Sequence, residues 1–257
     1  MNVGYSHSDS NPDVNKWILN FNPRPNALKR LFCLPYAGSS SAIVYRKWTS
    51  DLPSTVEVLP IELPGRGARL NEPLRTDIIS LALEIAEILS AFNDKPFEIF
   101  GHSMGSLLGF EVSKILIKKY KLAPRRLYVS AHGAPYLKKE SPIMHKLTED
   151  EFRVELKNLK GMDEDILNNE ELMEIFSPII RADYAVCETY TYADEKIDIP
   201  LIAFGGEKDS TVSMEHLSAW KKLTSSEFKI FMFPGDHFYL VKEQKKFLKY
   251  FENILEE

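Results

Sequence analysis

The sequence predicts an α/β fold with a mostly parallel central sheet, helices on both faces of that sheet and a helical lid insertion. Short apolar runs that end at glycine or proline signals are typical of buried parallel strands. The runs are Leu31–Leu34, Val56–Leu63, Phe97–Phe100, Leu127–Ala131, Pro200–Phe204 and Phe228–Phe233. Amphipathic helical patterns alternate with them, and this alternation favours a parallel sheet that is covered on both faces.

Apolar residues spaced three and four positions apart predict the helices. The first of these patterns begins after a predicted cap at Thr76, and another runs from Met104 to Tyr120. The last one carries Phe247 and Phe251 on its apolar face.

Residues 136–196 interrupt the alternation, because they contain helical patterns and no convincing strand. Thr148-Glu149-Asp150-Glu151 is a capping-box sequence that opens a helix, and Gly161 stops it. A second helix is predicted near Glu170–Phe176, and Ser177-Pro178 predicts the start of a third. We expect this insertion to lie over the carboxyl ends of the strands as a lid.

The chain as a whole, residues 1–257, is predicted to form one domain. Residues 1–24 are rich in Asn, Ser, Asp and Pro and are predicted to be a loose N-terminal leader. We expect a monomer, since a chain of this size buries enough surface to be stable alone.

Composition excludes several classes of function. The net charge of -5 comes without a basic stripe, so nucleic acid is not expected as a partner. The two cysteines, Cys33 and Cys187, form neither a disulfide framework nor a zinc motif. No secretion signal and no membrane-spanning stretch is found, so we expect a cytoplasmic protein that does not bind membranes.

Gly101-His102-Ser103-Met104-Gly105 fits the G-x-S-x-G pattern of a nucleophile elbow. A predicted strand precedes it and a predicted helix follows, which is the context that this turn requires. The two glycines leave room for a tight turn in which larger side chains would collide. The pattern therefore predicts an α/β-hydrolase fold with Ser103 as its nucleophile, the alternative being an ordinary glycine-rich turn with an idle serine.

A serine nucleophile needs a base, and the base needs an orienting carboxylate. Of the six histidines, His237 lies on the loop that leaves the last predicted strand, where this fold presents its base. Asp209 follows the preceding strand, and the order Ser103, Asp209, His237 is the chain order of this fold. Asp236 and Glu207 are rival acids, with Asp236 ranked second because its side chain would struggle to reach the neighbouring imidazole Nδ1.

An oxyanion hole needs two backbone N–H groups aimed at the developing negative charge. One is expected from Met104, which follows the nucleophile. The other is expected from the loop after the first strand, where we assign Ala37.

A series of short segments runs from about Arg24 to Leu240: Arg30–Gly38, Leu63–Arg66 with Arg69, Phe100–Gly105, Glu171–Met173, Arg181–Tyr184, Glu188–Tyr190 and Phe233–Phe238. In this order and spacing they resemble the type II thioesterases that accompany nonribosomal peptide and polyketide synthases. That family is similar to the thioesterase that releases medium-chain fatty acids from fatty acid synthase. Two departures are Ser39, where a second glycine is common, and Asp236, where a further glycine often precedes the histidine.

The resemblance implies a thioesterase that removes acyl or aminoacyl groups from the phosphopantetheine arm of a carrier protein, an editing step in antibiotic biosynthesis. It implies acyl- or peptidyl-carrier protein domains as transient partners, no cofactor and no metal. The triad and oxyanion residues named above match the positions of the family. The insertion would shape the acyl pocket, with these candidate lining residues: Tyr36, Met162, Met173, Phe176 and Ile180.

Arg66 and Arg69 allow two interpretations. They would meet the pantetheine phosphate or, as we favour, tie their loop to neighbouring carboxylates. The function also has alternatives: a general carboxylesterase or acyl-carrier hydrolase of fatty acid type, an acyltransferase, and a non-catalytic protein that docks on a synthase.

Overall fold

The computed structural model describes residues 12–20, 22–137 and 142–256. Within them lies a six-stranded sheet in the order β2-β1-β3-β4-β5-β6, in which every neighbouring pair is parallel. The strands are β1 (Lys29–Leu34), β2 (Val56–Pro60), β3 (Phe97–His102), β4 (Leu127–Ser130), β5 (Leu201–Gly206) and β6 (Phe228–Phe233). The predicted parallel α/β fold is therefore confirmed, with strand ends that shift by up to three residues.

Eleven α-helices are found in the described part of the chain. Their bounds are α1 (Pro12–Trp17), α2 (Ser41–Tyr45), α3 (Trp48–Asp51), α4 (Ile78–Ser90), α5 (Met104–Ile115), α6 (Glu149–Leu159), α7 (Glu164–Leu167), α8 (Glu170–Glu188), α9 (Met214–Ser218), α10 (Tyr239–Lys242) and α11 (Gln244–Glu256). Helices α4 and α5 contribute to the apolar core on one face of the sheet, and α2, α3 and α11 contribute to the core on the other face. No helix among the described residues is both long and apolar enough to cross a bilayer.

Two helix boundaries differ from the predictions. Helix α4 is capped by Asp77 instead of Thr76, because the Asp77 carboxylate reaches the N–H of Ser80 in the first turn. The helix predicted from Met104 to Tyr120 ends as an α-helix at Ile115 and continues as a π-helical turn over Leu116–Tyr120.

The prediction of separate helices on either side of Ser177-Pro178 is wrong, because α8 runs through both residues without a break. Ser177 does not cap a new helix; its hydroxyl donates to Glu149 Oε2 at 2.9 Å. Proline removes one backbone hydrogen bond from a helix interior. Packing of the α8 residues Met173 and Ile180, both almost fully buried, favours a continuous helix in spite of that loss.

The N-terminal segment also differs from its prediction. Of the predicted loose leader, residues 1–11 lie outside the described residues, whereas Pro12–Trp17 form α1. Trp17 is buried, and its ring stacks on the guanidinium of Arg69 at 3.8 Å. Ile18 then pairs with Ile61 in an isolated antiparallel bridge. The apolar residues of this stretch dock it on the domain, although its overall composition is polar.

The described residues between β4 and β5 include a short 3-10 turn at Met144–Lys146 and helices α6, α7 and α8. The predicted capping box of α6 is confirmed, since the Thr148 and Glu151 side chains each bond the other's backbone N–H. A small apolar cluster joins these helices: Met144, Phe152, Leu156, Leu167, Met173 and Ile180. Residues 142–196 are called the lid below.

Candidate active site

The carboxyl ends of the strands lie at one edge of the sheet because neighbouring strands are parallel and in register. Leu34 of β1 lies beside Gly101 of β3, and Gly206 of β5 lies beside Phe233 of β6. The loops that follow these strands therefore emerge together. They carry Ala37, Ser103, Asp209 and His237, so the sheet brings every predicted catalytic position to one edge.

Ser103 lies in a strained turn between β3 and α5. Its φ of 51° and ψ of -116° are outside the regions that ordinary side chains prefer. A Cβ on Gly101 would lie 1.9 Å from the carbonyl oxygen of Gly105, and a Cβ on Gly105 would lie 2.4 Å from the carbonyl oxygen of Leu34. Both glycines are therefore required by close backbone approach, and the turn holds Ser103 partly exposed above the sheet.

Ser106 and Ser130 stabilise this turn, and neither is predicted from the sequence. The Ser103 N–H donates to the Ser130 carbonyl at 2.7 Å. The Ser106 hydroxyl lies 2.8 Å from the Gly101 carbonyl and accepts the Ser130 N–H at 2.8 Å. A buried hydroxyl thus satisfies the backbone groups that the strained turn leaves free.

His237 and Asp209 form a hydrogen-bonded pair at this edge. The His237 Nδ1 lies 2.8 Å from Asp209 Oδ2, and the Asp209 side chain is fully shielded from solvent. Because a carboxylate only accepts, Nδ1 carries the proton and Nε2 is left as the basic nitrogen. The ring centroid of His237 lies 5.4 Å from that of His102, the residue before Ser103.

Backbone contacts explain why the two loops meet. The N–H groups of Glu207 and Lys208 donate to the carbonyls of Phe233 and Gly235. A Cβ on Gly206 would lie 2.4 Å from the carbonyl oxygen of Asp236. Glycine at position 206 therefore lets the histidine loop lie directly on the end of β5.

The rival acids are engaged elsewhere. Asp236 accepts the Phe238 N–H at 2.9 Å and the Lys242 ammonium at 2.6 Å. Glu207 is exposed on the loop after β5. The geometry therefore supports Asp209 as the partner of His237.

Thr211 completes the environment of Asp209. Its N–H and hydroxyl both donate to Asp209 Oδ1, at 2.8 and 2.7 Å, and leave Oδ2 to the imidazole. Burial alone raises the pKa of Asp209, but the hydrogen bonds and charge of His237 and the bonds from Thr211 lower this pKa below its usual value. The carboxylate is therefore charged in neutral solution. An aspartate that bonds the backbone two residues ahead is a turn signal that the sequence contains.

His102 is fully buried beneath the site. Its Nδ1 lies 2.7 Å from the Ser130 hydroxyl, which in turn lies 2.5 Å from the Tyr239 hydroxyl. Burial, followed by the charge of His237, holds the pKa of His102 well below its ordinary value. This neutral ring supports the floor of the site and is no rival to His237 as the base.

The predicted oxyanion donors come from two segments at this edge of the sheet, the elbow itself and the loop after β1. Met104 is the first residue of α5, where backbone N–H groups have no partner within the helix and the helix dipole is positive. Ala37 lies in the loop after β1, and Ser39 bonds back to the Tyr36 carbonyl through both its N–H and its hydroxyl. The hydroxyl of Ser39, one of the two family departures, thus helps to close this loop.

The candidate pocket residues occupy different places. Tyr36 is partly buried and makes edge contacts with the rings of His102 and Phe238. Ile180 lies over the loop after β1, since a Cβ on Gly38 would be 2.7 Å from Ile180 Cγ1. The other three share the lid cluster with Ile180: Met173 is fully buried in it, and Met162 and Phe176 pack against it partly exposed.

Arg66 and Arg69 bind carboxylates and carbonyls of the protein, as the favoured interpretation predicts. Arg66 forms a two-pronged pair with Asp183, and Arg69 forms one with Glu72. Arg69 also donates to the Glu62 carbonyl at 2.9 Å. Both arginines are buried. In the described ranges, no group of three His, Cys, Asp or Glu residues is arranged to hold a metal ion.

Comparisons with known proteins agree with this geometry. A family model described as a thioesterase domain matches residues 29–255. Linear gramicidin dehydrogenase LgrE from Brevibacillus parabrevis is 37% identical over 94% of this chain and 93% of its own length. Gramicidin S biosynthesis protein GrsT from Aneurinibacillus migulanus is 37% identical over 92% of this chain and 93% of its own length.

Among solved structures, the type II thioesterase BorB from the borrelidin biosynthetic cluster superposes with a TM-score of 0.82 at 33% identity. The match covers 93% of this chain and 97% of that one. The family model, the relatives and the shared fold lead to one conclusion: this chain belongs to the thioesterase family and has the α/β-hydrolase fold.

Proposed function

We propose that this protein is a type II, editing thioesterase. In this role it hydrolyses acyl or aminoacyl thioesters on the phosphopantetheine arm of carrier proteins in nonribosomal peptide or polyketide biosynthesis. The observation that carries the proposal is the His237–Asp209 pair, held at the same sheet edge as the strained Ser103. Family membership and the likeness to GrsT and BorB support the class of substrate.

The chemistry proceeds in two acyl transfers. His237 Nε2 takes the Ser103 proton as the hydroxyl oxygen attacks the thioester carbonyl. The Met104 and Ala37 N–H groups stabilise the oxyanion that forms. The carbon–sulfur bond then breaks, and the protonated imidazole gives its proton to the departing pantetheine thiolate. In the second transfer, His237 takes a proton from water as the water oxygen attacks the acyl-serine carbonyl. The bond between the acyl carbon and Ser103 Oγ then breaks, the imidazolium gives its proton to Oγ, and the acid is released.

Asp209 stabilises the imidazolium in both steps, because its charge faces the Nδ1 proton. Tyr36, Ile180, Met162 and Phe176 are proposed to border the acyl chain, supported by the contacts of the first two with the loop and rings beside the site. The name dehydrogenase that LgrE carries does not transfer to this chain, because the nucleophile elbow and the His237–Asp209 pair are the parts of a hydrolase.

The protein is further proposed to act as a monomer in the cytoplasm, with carrier domains as transient partners. Neither Cys33 nor Cys187 forms a disulfide, and this supports a reducing compartment. The size of the core supports a stable single chain.

The decisive experiment gives wild type and Ser103→Ala the same acyl group in three forms: on a carrier protein, on free pantetheine, and as an oxygen ester. Intact-protein mass spectrometry follows the loss of the acyl mass from the carrier. We expect rapid deacylation of the carrier by wild type and a fall of about 10⁴-fold or more in Ser103→Ala. Faster cleavage of the oxygen ester than of the carrier thioester would favour a carboxylesterase and overturn the editing role.

A second readout separates the enzyme from a non-catalytic docking protein. A fluorophosphonate reacts only with an activated serine, so wild type should be labelled and Ser103→Ala should not. Absence of labelling in the wild type would overturn the assignment of Ser103.

A further inference from the structure

The lid helix α8 is joined to the loop after β1 by a buried carboxylate. Asp183, on α8, accepts the Gly38 N–H on Oδ2 at 2.7 Å. The Arg66 guanidinium bonds the same oxygen at 2.5 Å and Oδ1 at 2.7 Å. The Asp183 side chain is 2% exposed and that of Arg66 is 6% exposed. These bonds are charge-assisted and shielded from water, which makes them strong and geometrically restrictive.

The bonds restrain the backbone next to the proposed oxyanion donor. The Gly38 N–H belongs to the peptide plane that directly follows Ala37, so Asp183 fixes the orientation of that plane. Arg66 Nη1 also approaches the Ser39 carbonyl at 3.4 Å, on the next residue of the loop. Gly38 itself has a φ of +77°, a conformation that glycine adopts freely and that the loop could leave at low cost.

The same helix closes the loop from above. Ile180 lies one turn before Asp183 on α8. Its side chain packs directly against Gly38, since a Cβ built on Gly38 would lie only 2.7 Å from Ile180 Cγ1. Helix α8 therefore contacts the loop through an apolar group and an acidic group at adjacent turns. A displacement of α8 would remove both contacts together.

A second buried arginine pair provides a contrast. Arg30 Nε bonds Glu57 Oε2 at 3.1 Å while its two Nη atoms bond Asp94, and the side chains of Arg30 and Glu57 are nearly inaccessible. This pair lies near the amino ends of β1 and β2, at the opposite edge of the sheet from Ser103. Like Asp183, Glu57 is a buried carboxylate bonded to a buried arginine, but it has no contact with the oxyanion loop, which makes it a control for the loss of a buried charge.

We propose that Asp183 and Arg66 are positioning residues of the oxyanion hole, which hold the Ala37 N–H towards the reacting carbonyl and make the hole dependent on the seating of α8. This inference rests on the proposed hydrolase function of the site. It assigns a role in transition-state stabilisation to a lid residue that does not touch the substrate. It also means that the oxyanion hole takes its active geometry only when the lid helix α8 is packed on the loop after β1.

The test compares Asp183→Asn with Glu57→Gln in the full chain. Asparagine keeps the volume of Asp183 and one acceptor oxygen, but it removes the negative charge and sets its NH2 group either against the Arg66 Nη2 donor or, when flipped, against the Gly38 N–H. The substrate is the octanoyl thioester of N-acetylcysteamine. We expect kcat to fall about 10- to 100-fold and KM to stay nearly unchanged. This loss is smaller than the loss that follows removal of a whole oxyanion donor. The rate of Ser103 labelling by a fluorophosphonate should fall by a similar factor.

Two readouts separate positioning from a merely structural role. The acid side of the pH–rate profile should stay where it is in the wild type, because Asp183 does not contact His237. Glu57→Gln, in which Arg30 retains its bonds to Asp94, should keep the wild-type kcat even if its Tm falls. Wild-type kcat in Asp183→Asn, or an equal loss of kcat in Glu57→Gln, would overturn the proposal.

Arg66→Lys keeps the inference testable if Asp183→Asn does not fold. Lysine retains the charge but cannot bridge both oxygens of Asp183 in the manner of a guanidinium. We expect a smaller fall in kcat, about three- to tenfold, with the same unchanged pH profile. Full activity in Arg66→Lys would contradict the proposal. Labelling of wild-type Ser103 without cleavage of carrier thioesters would instead overturn only the proposed function.

Discussion

Asp209 Oδ2 lies 2.8 Å from His237 Nδ1, although 28 residues separate the two side chains along the chain. This contact fixes which nitrogen of the imidazole is basic. We expect Asp209→Asn to lower kcat by about 10⁴-fold, because an amide that donates to Nδ1 would stabilise the wrong tautomer. Steady-state kinetics on an acyl thioester measure the effect, with KM expected to change little.

Asp236→Asn is the matched control for that variant. Asp236 neighbours His237 in sequence, yet its oxygens accept from Phe238 and Lys242. Since the ion pair with Lys242 is largely solvated, we expect kcat to stay within about threefold of the wild type. A loss as large as that of Asp209→Asn would mean that the two acids share the role.

The nucleophile elbow makes a prediction about two glycines of α5. Gly105→Ala would place a Cβ 2.4 Å from the Leu34 carbonyl oxygen, a contact that only a backbone shift could relieve. We expect this variant to lose about 3 kcal/mol or more of the free energy of unfolding and most of its activity. Gly109→Ala would place a Cβ 3.2 to 3.3 Å from side-chain methyls of Ile99, Leu127 and Leu34, which can shift more easily than backbone, so its loss should be smaller, about 1 kcal/mol. Chemical denaturation compares the two, and equal losses would contradict the assigned role of Gly105.

The fold and the triad could be predicted because both depend on local patterns. The strands are apolar runs between turn residues, and the elbow is a pentapeptide whose glycines have a steric reason. Chain order then selects Asp209 and His237. Thr211 could have been added, because the N–H two positions after an aspartate often donates to its carboxylate.

Long-range polar contacts could not be predicted in this way. Asp183 is one of 37 acidic residues and lies 145 positions from Gly38, and no periodicity or spacing connects them. The continuity of α8 through Pro178 could not be predicted either, because burial of one face of the helix stabilises it more than the proline destabilises it. The packing of Trp17 on Arg69 is likewise a tertiary contact, and the polar composition of the segment around Trp17 does not indicate it.

Glu188 joins the two ends of the lid. At the end of α8, its carboxylate accepts the N–H groups of Met144 and His145 and lies 2.5 Å from His145 Nδ1. Glu188→Gln keeps the shape but loses the charge, so we expect the lid to open more often. Trypsin should then cleave within residues 142–169 about tenfold faster than in the wild type. Glu174→Gln, on an exposed position of the same helix, should leave the cleavage rate unchanged, and an equal increase there would contradict the role of Glu188.

The lowered pKa of Asp209 determines how this residue couples stability to pH. In the unfolded chain an aspartate titrates near a pKa of about 3.9, whereas the bonds from His237 and Thr211 hold the folded pKa lower. The stability that Asp209 contributes is therefore fully present above the unfolded pKa and is lost as pH falls through the folded pKa. We expect the free energy of unfolding of the wild type to decline more steeply than that of Asp209→Asn below about pH 4. Urea denaturation at a series of pH values measures both curves. If the curves ran parallel, His237 and Thr211 would not favour the ionised carboxylate, and the tautomer of His237 would need another explanation.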